Sequence, residues 1–151
     1  MTSFHSISIP FQLICIDLIT ATIYHITMNV SEKDLKLKTS RLTGDLINYI
    51  VDKIVCSIQP EKILIFGSYA RGDSDQDSDL DLLVIKDSQQ KNREIRREID
   101  RLLTGRRFGI DIIVRKPEEV AENLKNRNPF YLHHIFKDGK VLYERKQKNT
   151  E

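Results

Sequence analysis

Ile63-Leu64-Ile65-Phe66-Gly67-Ser68-Tyr69-Ala70-Arg71-Gly72-Asp73-Ser74-Asp75-Gln76-Asp77-Ser78-Asp79-Leu80-Asp81-Leu82-Leu83-Val84-Ile85 is the stretch that decides the fold. Two short apolar runs, each of the length and type of a buried strand, enclose a Gly-Ser step, a segment with helical character and an acidic loop. Side chains two apart on a strand share a face and lie roughly 6–7 Å apart. Asp79 and Asp81 therefore project together at the mouth of an otherwise apolar strand. At an effective dielectric of about 20, two such charges repel by about 2–3 kcal/mol, which a fold does not accept without compensation. A divalent cation compensates it, and a site made only of carboxylates suits Mg²⁺ that also touches phosphate.

The Gly-Ser step supplies the other half of such a site. A glycine at a strand end lets the backbone approach a ligand, and the serine after it can donate its hydroxyl. The N–H groups of the following turn have no partner within a helix. Gly67 and Ser68 thus read as a phosphate site facing Asp79 and Asp81. A third acid interrupts a later apolar strand, Phe108-Gly109-Ile110-Asp111-Ile112-Ile113-Val114, and Asp111 is the candidate to complete the set. The implied reaction is in-line phosphoryl or nucleotidyl transfer with two metals. One would lower the pKa of an acceptor hydroxyl, and the other would steady the leaving pyrophosphate.

Gly-Ser, ten residues, Asp-x-Asp and a later strand acid together resemble the nucleotidyltransferases of the DNA polymerase beta superfamily. The wording Gly-Ser-Tyr-Ala-Arg-Gly and Asp-Ser-Asp-Leu-Asp-Leu-Leu-Val is similar to the minimal nucleotidyltransferases of bacteria and archaea, over about Val30 to Arg145. The resemblance implies an α/β (α+β) nucleotidyltransferase fold, a small mixed sheet flanked by helices, and transfer of AMP from ATP with two Mg²⁺ ions or Mn²⁺. It implies a tyrosine on a HEPN-type ribonuclease toxin as acceptor, with the transferase as antitoxin. Carried onto this chain, Gly67, Ser68 and Arg71 would bind the nucleotide. Asp79, Asp81 and Asp111 would be catalytic and would hold the metals, Asp111 also serving as base.

Other conspicuous residues have plainer readings. Asp73, Asp75 and Asp77 read as a solvated acidic turn, with Ser74 and Ser78 as turn formers. Tyr69 reads as packing of the short helix, the alternative being a place near the base of ATP. Arg93, Arg96, Arg97, Arg101, Arg106 and Arg107 share a segment with an apolar stripe of Ile95, Ile99, Leu102 and Leu103. They read as its solvated outer face, the alternative being a dock for an acidic partner or a triphosphate. His133 and His134 lie in an amphipathic segment, and no Cys or His has zinc spacing.

At 151 residues the chain is sized for a single core. Its 24 Lys and Arg against 22 Asp and Glu give a net charge of +2, which is no nucleic-acid signature. Cys15 and Cys56, far apart in apolar sequence, suit a reduced, cytoplasmic protein. Residues 1–27 differ in composition, with Asp17 the only Asp, Glu, Lys or Arg among them. They lack the basic start of a signal peptide and the uninterrupted apolar run of a membrane span. Met28-Asn29-Val30-Ser31-Glu32 reads as a protein start with Ser31 as helix cap, so 1–27 is read as a translated upstream stretch or an assembly arm.

The expected organisation is a nucleotidyltransferase domain over 28–145 and a polar tail over 146–151. Leu42, Leu46, Ile47, Ile50, Val51, Ile54 and Ile58 predict a long first helix ending before Pro60. Strand 62–66, the motif helix, strand 80–86, the arginine-bearing helix to about Gly105 and strand 109–115 should follow. A helix from Pro117, one at Pro129 and a strand around Val141 complete the order. No residues are left over for an acceptor-gripping domain, which favours a protein acceptor held by its own surface. Two alternatives stand beside it: a small-molecule transferase whose pocket is completed by a homo- or hetero-oligomer, and a toxin-masking module without catalysis.

Overall fold

The structure, a computed structural model, describes residues 34–146. The readings of residues 1–27, Cys15 and Ser31 lie outside the described residues, as does the tail beyond Lys146.

Helix α1, Gly44–Ile58, starts where Thr43 accepts a hydrogen bond from the Leu46 N–H at 3.3 Å. That cap places the start after Leu42, although Leu42 fits the apolar period and packs against the core. The helix stops at Gln59, which has φ of 52° and donates its N–H to Val55 O. Cys56 faces outward on α1, exposed despite its apolar neighbours in sequence.

Strand β1, Lys62–Phe66, runs directly into α2, Gly67–Arg71. Strand β2 is Leu80–Ile85, and α3, Asn92–Leu102, crosses over to β3, Ile110–Arg115. Helix α4, Pro117–Lys125, has its proline in the first turn, where no N–H is needed. The Pro129 segment becomes a π-helical turn over Tyr131–Ile135, with Phe136 N–H bonded to Tyr131 O at 2.9 Å, and β4 is Lys140–Glu144. The predicted element order holds throughout the described residues.

The sheet order is β3-β2-β1-β4. β1 is antiparallel to β2 and β4, and β2 is parallel to β3. Alternation along the strands divides the core in two. Ile63, Ile65, Leu80, Leu82, Val84, Ile112 and Val114 pack with α1 and α3 through Ile50, Ile54, Ile95 and Ile99. Leu64, Phe66, Leu83 and Ile85 pack on the other face with Val120, Tyr131 and Ile135. Each fully buried Leu or Ile contributes about 1.5–3 kcal/mol. The result is a three-layer α/β fold, a mixed four-stranded sheet between helices. Among the described residues no helix is long and apolar enough to cross a membrane.

Candidate active site

The antiparallel turn from β1 to β2 and the parallel pairing of β2 with β3 bring the three acids to one end of the sheet. Asp81 stands opposite Phe66 on β1 and opposite Asp111 on β3. Residues opposite one another in register point to the same face, so Asp81 and Asp111 share the face that carries Phe66. The Leu80 N–H bonds to Gly109 O at 3.0 Å, which continues the register and sets Asp79 opposite Gly109.

Two glycines make room for the carboxylates. Gly67 has φ of 69°, and a methyl group on it would overlap the Asp81 carboxylate. A methyl group on Gly109 would overlap the carboxylate of Asp79. The Gly-Ser step is therefore in direct apposition to the second acid of Asp-x-Asp. Gly109 carries no functional signal by itself in the sequence. Its position two residues before the strand acid is the only hint.

The acids act on one another. Burial raises the Asp81 carboxyl above its ordinary value, the charges of Asp111 and Asp79 raise it further, and Arg71 opposes them. Arg71 is exposed at the end of α2, with Nε 3.1 Å from Asp73 Oδ2. Asp111 meets a cation from another quarter, with Arg96 Nη2 3.3 Å from its Oδ1. Arg96 belongs to α3, which packs on the opposite face, so its side chain passes around the edge of β3 to reach Asp111.

The solvated-face reading of the arginines thus holds only in part. Arg96 joins the site, and Arg106 pairs with Asp100 at 3.1 Å. The acidic loop behaves as a turn: Asp75 Oδ1 accepts from Ser78 Oγ at 2.6 Å and from the Asp77 N–H at 3.1 Å. The Ser78 hydroxyl, first among these bonds, lowers the Asp75 carboxyl. Tyr69 packs against the α1 side of the core, while His133 and His134 are exposed.

Among the described residues, no three His, Cys, Asp or Glu side chains stand grouped as a formed metal cage. The donor set nevertheless fits a hard cation. It offers only oxygen, and it places two charges around Asp81 that oppose its ionisation. Asp79 and Asp81 would hold such an ion, with Asp111 joining them on release from Arg96.

The model of the family "Polymerase beta, Nucleotidyltransferase" matches residues 47–148. The chain belongs to this family, and it is an enzyme of the nucleotidyltransferase class. A Methanocaldococcus jannaschii protein named "Putative protein adenylyltransferase" is 32% identical over 111 residues, 66% of this chain and 74% of that one. A solved "putative nucleotidyltransferase" of Sulfolobus solfataricus is 29% identical, with a TM-score of 0.46, over 67% of this chain and 79% of its own. A toxin–antitoxin structure with AMP-PNP is 19% identical, with a TM-score of 0.43, over 66% of this chain and 75% of its own.

Proposed function

We propose that the chain transfers AMP from ATP, with Mg²⁺ or Mn²⁺, to a hydroxyl of a partner protein, a tyrosine by resemblance. The observation that carries this reading is the register pairing of Asp81 with Asp111, with Asp79 beside them and Gly67 against Asp81. A protein acceptor is supported by the name of the 32% identical relative.

In this reading Gly67 and Ser68 seat the triphosphate and Arg71 offsets its charge. Asp79 and Asp81 would hold both metals, with Asp111 as the third ligand. The bound ions supply Lewis-acid stabilisation of the pyrophosphate and a lowered pKa for the acceptor hydroxyl. Asp111 takes the hydroxyl proton, the hydroxyl oxygen bonds to the α-phosphorus, and the bond to pyrophosphate breaks. If the partner is a HEPN-type ribonuclease, the added phosphodiester blocks its RNA surface by charge and bulk, and the chain acts as antitoxin.

The experiment is co-expression with the protein of the neighbouring reading frame, sought as an all-helical chain with an Arg-x4–6-His motif, followed by its intact mass. A gain of one or more AMP units that vanishes with Asp79→Asn supports the reading. Neutralisation without any mass change, unaffected by Asp79→Asn, leaves only masking by contact.

A further inference from the structure

The parts of the site lie across the end of the sheet in strand order. Gly67 and Ser68 follow β1, Asp79 and Asp81 flank Leu80 at the start of β2, and Asp111 belongs to β3. Neighbouring strands are about 4.8 Å apart, so the proposed phosphate seat and Asp111 stand about 10 Å apart, on either side of the Asp-x-Asp pair. An in-line displacement puts the attacking oxygen and the leaving pyrophosphate on opposite sides of the phosphorus. With pyrophosphate toward Gly67, the acceptor hydroxyl arrives over β3.

That approach is open. The side chains of Asp111 and Arg96 are 55% and 50% exposed, with Arg96 Nη2 3.3 Å from Asp111 Oδ1. Arg96 also lines a cavity of about 310 Å³ with Arg93 and Arg115, so its side chain has room to leave Asp111. Its neighbours on the helix, three and four residues away, offer no free carboxylate. Arg93 is a like charge, and Asp100 is held by Arg106 at 3.1 Å. Asn92 gives its side-chain amide to Glu119 at 2.7 Å, and Glu119 also accepts the Lys116 N–H at 2.8 Å. A guanidinium displaced from Asp111 is therefore an unpaired cation on the acceptor side.

We propose that Arg96 is a catalytic residue that grips the acceptor oxygen, exchanging the Asp111 carboxylate for the acceptor hydroxyl. The proposal rests on the reading of the chain as a transferase to a hydroxyl. Without substrate, Arg96 holds Asp111 in place. When Asp111 joins the metal ligands, the guanidinium turns to the incoming hydroxyl oxygen and donates a hydrogen bond to it. The hydroxyl proton passes to Asp111, the oxygen bonds to the α-phosphorus, and the bond to pyrophosphate breaks. The bond from Arg96 strengthens while that oxygen carries negative charge, and it fixes the direction of attack. The triphosphate is not its ligand in this arrangement, since Gly67 lies two strands away.

The test reads binding rather than transfer. The probe is para-fluorophenol, titrated by fluorine NMR into the full chain saturated with Mg²⁺ and α,β-methylene-ATP, which cannot transfer AMP. Saturable binding is expected, about fivefold weaker in Arg96→Ala and largely regained in Arg96→Lys. Affinity for the nucleotide analogue, read from its phosphorus signals, should not fall in either variant. Equal phenol binding in Arg96→Ala overturns the proposal, as does equal binding of para-fluoroanisole, which lacks the hydroxyl proton. Loss of nucleotide affinity in Arg96→Ala also overturns it and would assign the guanidinium to the triphosphate. Failure of the analogue to bind the wild type would remove the transferase reading as well, whereas bound analogue without phenol binding removes this proposal alone.

Discussion

Asp81 and Asp111 face each other in register across the parallel β2–β3 pair, yet only Asp111 has an arginine on its carboxylate. Asp81 is left with the burial and the repulsion. A protein ion pair thus holds one acid, while at the other burial and the two neighbouring carboxylates outweigh the charge of Arg71.

The first prediction follows from that imbalance. The Asp81 carboxyl is raised in the folded protein, by burial first and then by Asp111 and Asp79. A raised folded value means that its stabilising contribution is complete below the unfolded value, about 3.9. It is lost as pH rises through the folded value. Metal-free protein at neutral pH therefore bears a cost that Asp81→Asn removes. Melting of Asp81→Asn without Mg²⁺ should occur at or above the wild-type temperature, while AMP transfer is abolished. A clear fall in melting temperature would show that the carboxylate is stabilising as it stands.

The Arg96–Asp111 pair is half exposed on both sides, at 50% and 55%, so its worth is about 0–1 kcal/mol. Arg96→Ala should leave the fold intact and tighten Mn²⁺ binding, measured by electron paramagnetic resonance without nucleotide, by up to about fivefold. Asp111→Asn should keep ATP affinity and slow transfer by about 100-fold or more, because the base and a ligand are lost together. Equal loss of ATP binding in Asp111→Asn and Asp79→Asn would refute the division of roles.

The element order and the gathering of the candidate acids beside Gly67 were legible because strand acids and a Gly-Ser step are local signals. Lys62–Phe66 and Leu80–Ile85 lie within a residue of where the apolar runs put them. Arg96 was not legible as a site residue. Its spacing in the amphipathic helix sends it to solvent, and only the edge position of β3 lets it reach Asp111. Gly109 was missed for a similar reason, since the β2–β3 register decides that Asp79 lies across it. Asp34 gave no signal at all, because its partners are 15 and 19 residues away.

Gly109→Ala tests whether the Asp79 position matters. The new methyl group would overlap the Asp79 carboxylate, a flexible end that can move aside without unfolding the strand. Displacement of about 1 Å in a positioned group can cost about 100-fold in rate. The expected result is a large loss of AMP transfer with a nearly unchanged melting temperature. Retained activity would show that the Asp79 side chain is not tightly placed in catalysis.

Asp34 should be an acid-sensitive support of the fold outside the site. Its side chain is 19% exposed and lies 2.7 Å from Lys53 Nζ and 2.7 Å from the Tyr49 hydroxyl, and its other oxygen accepts the Lys36 N–H at 3.2 Å. These bonds pin the 3-10 turn Leu35–Lys38, which buries Leu37, against α1. Burial pushes the Asp34 carboxyl up, but the Lys53 and Tyr49 bonds outweigh it, and the net value is lowered. A lowered folded value contributes stability above the unfolded value and loses it as pH falls through the folded one. Asp34→Ala should cost about 2 kcal/mol at neutral pH, as expected for hydrogen bonds to a charged group. The deficit should shrink as the wild type is acidified below about pH 4. Denaturant midpoints of both proteins across that range measure it, and a deficit that stays constant with pH would mean that packing of the turn, not the charge of Asp34, is what was lost.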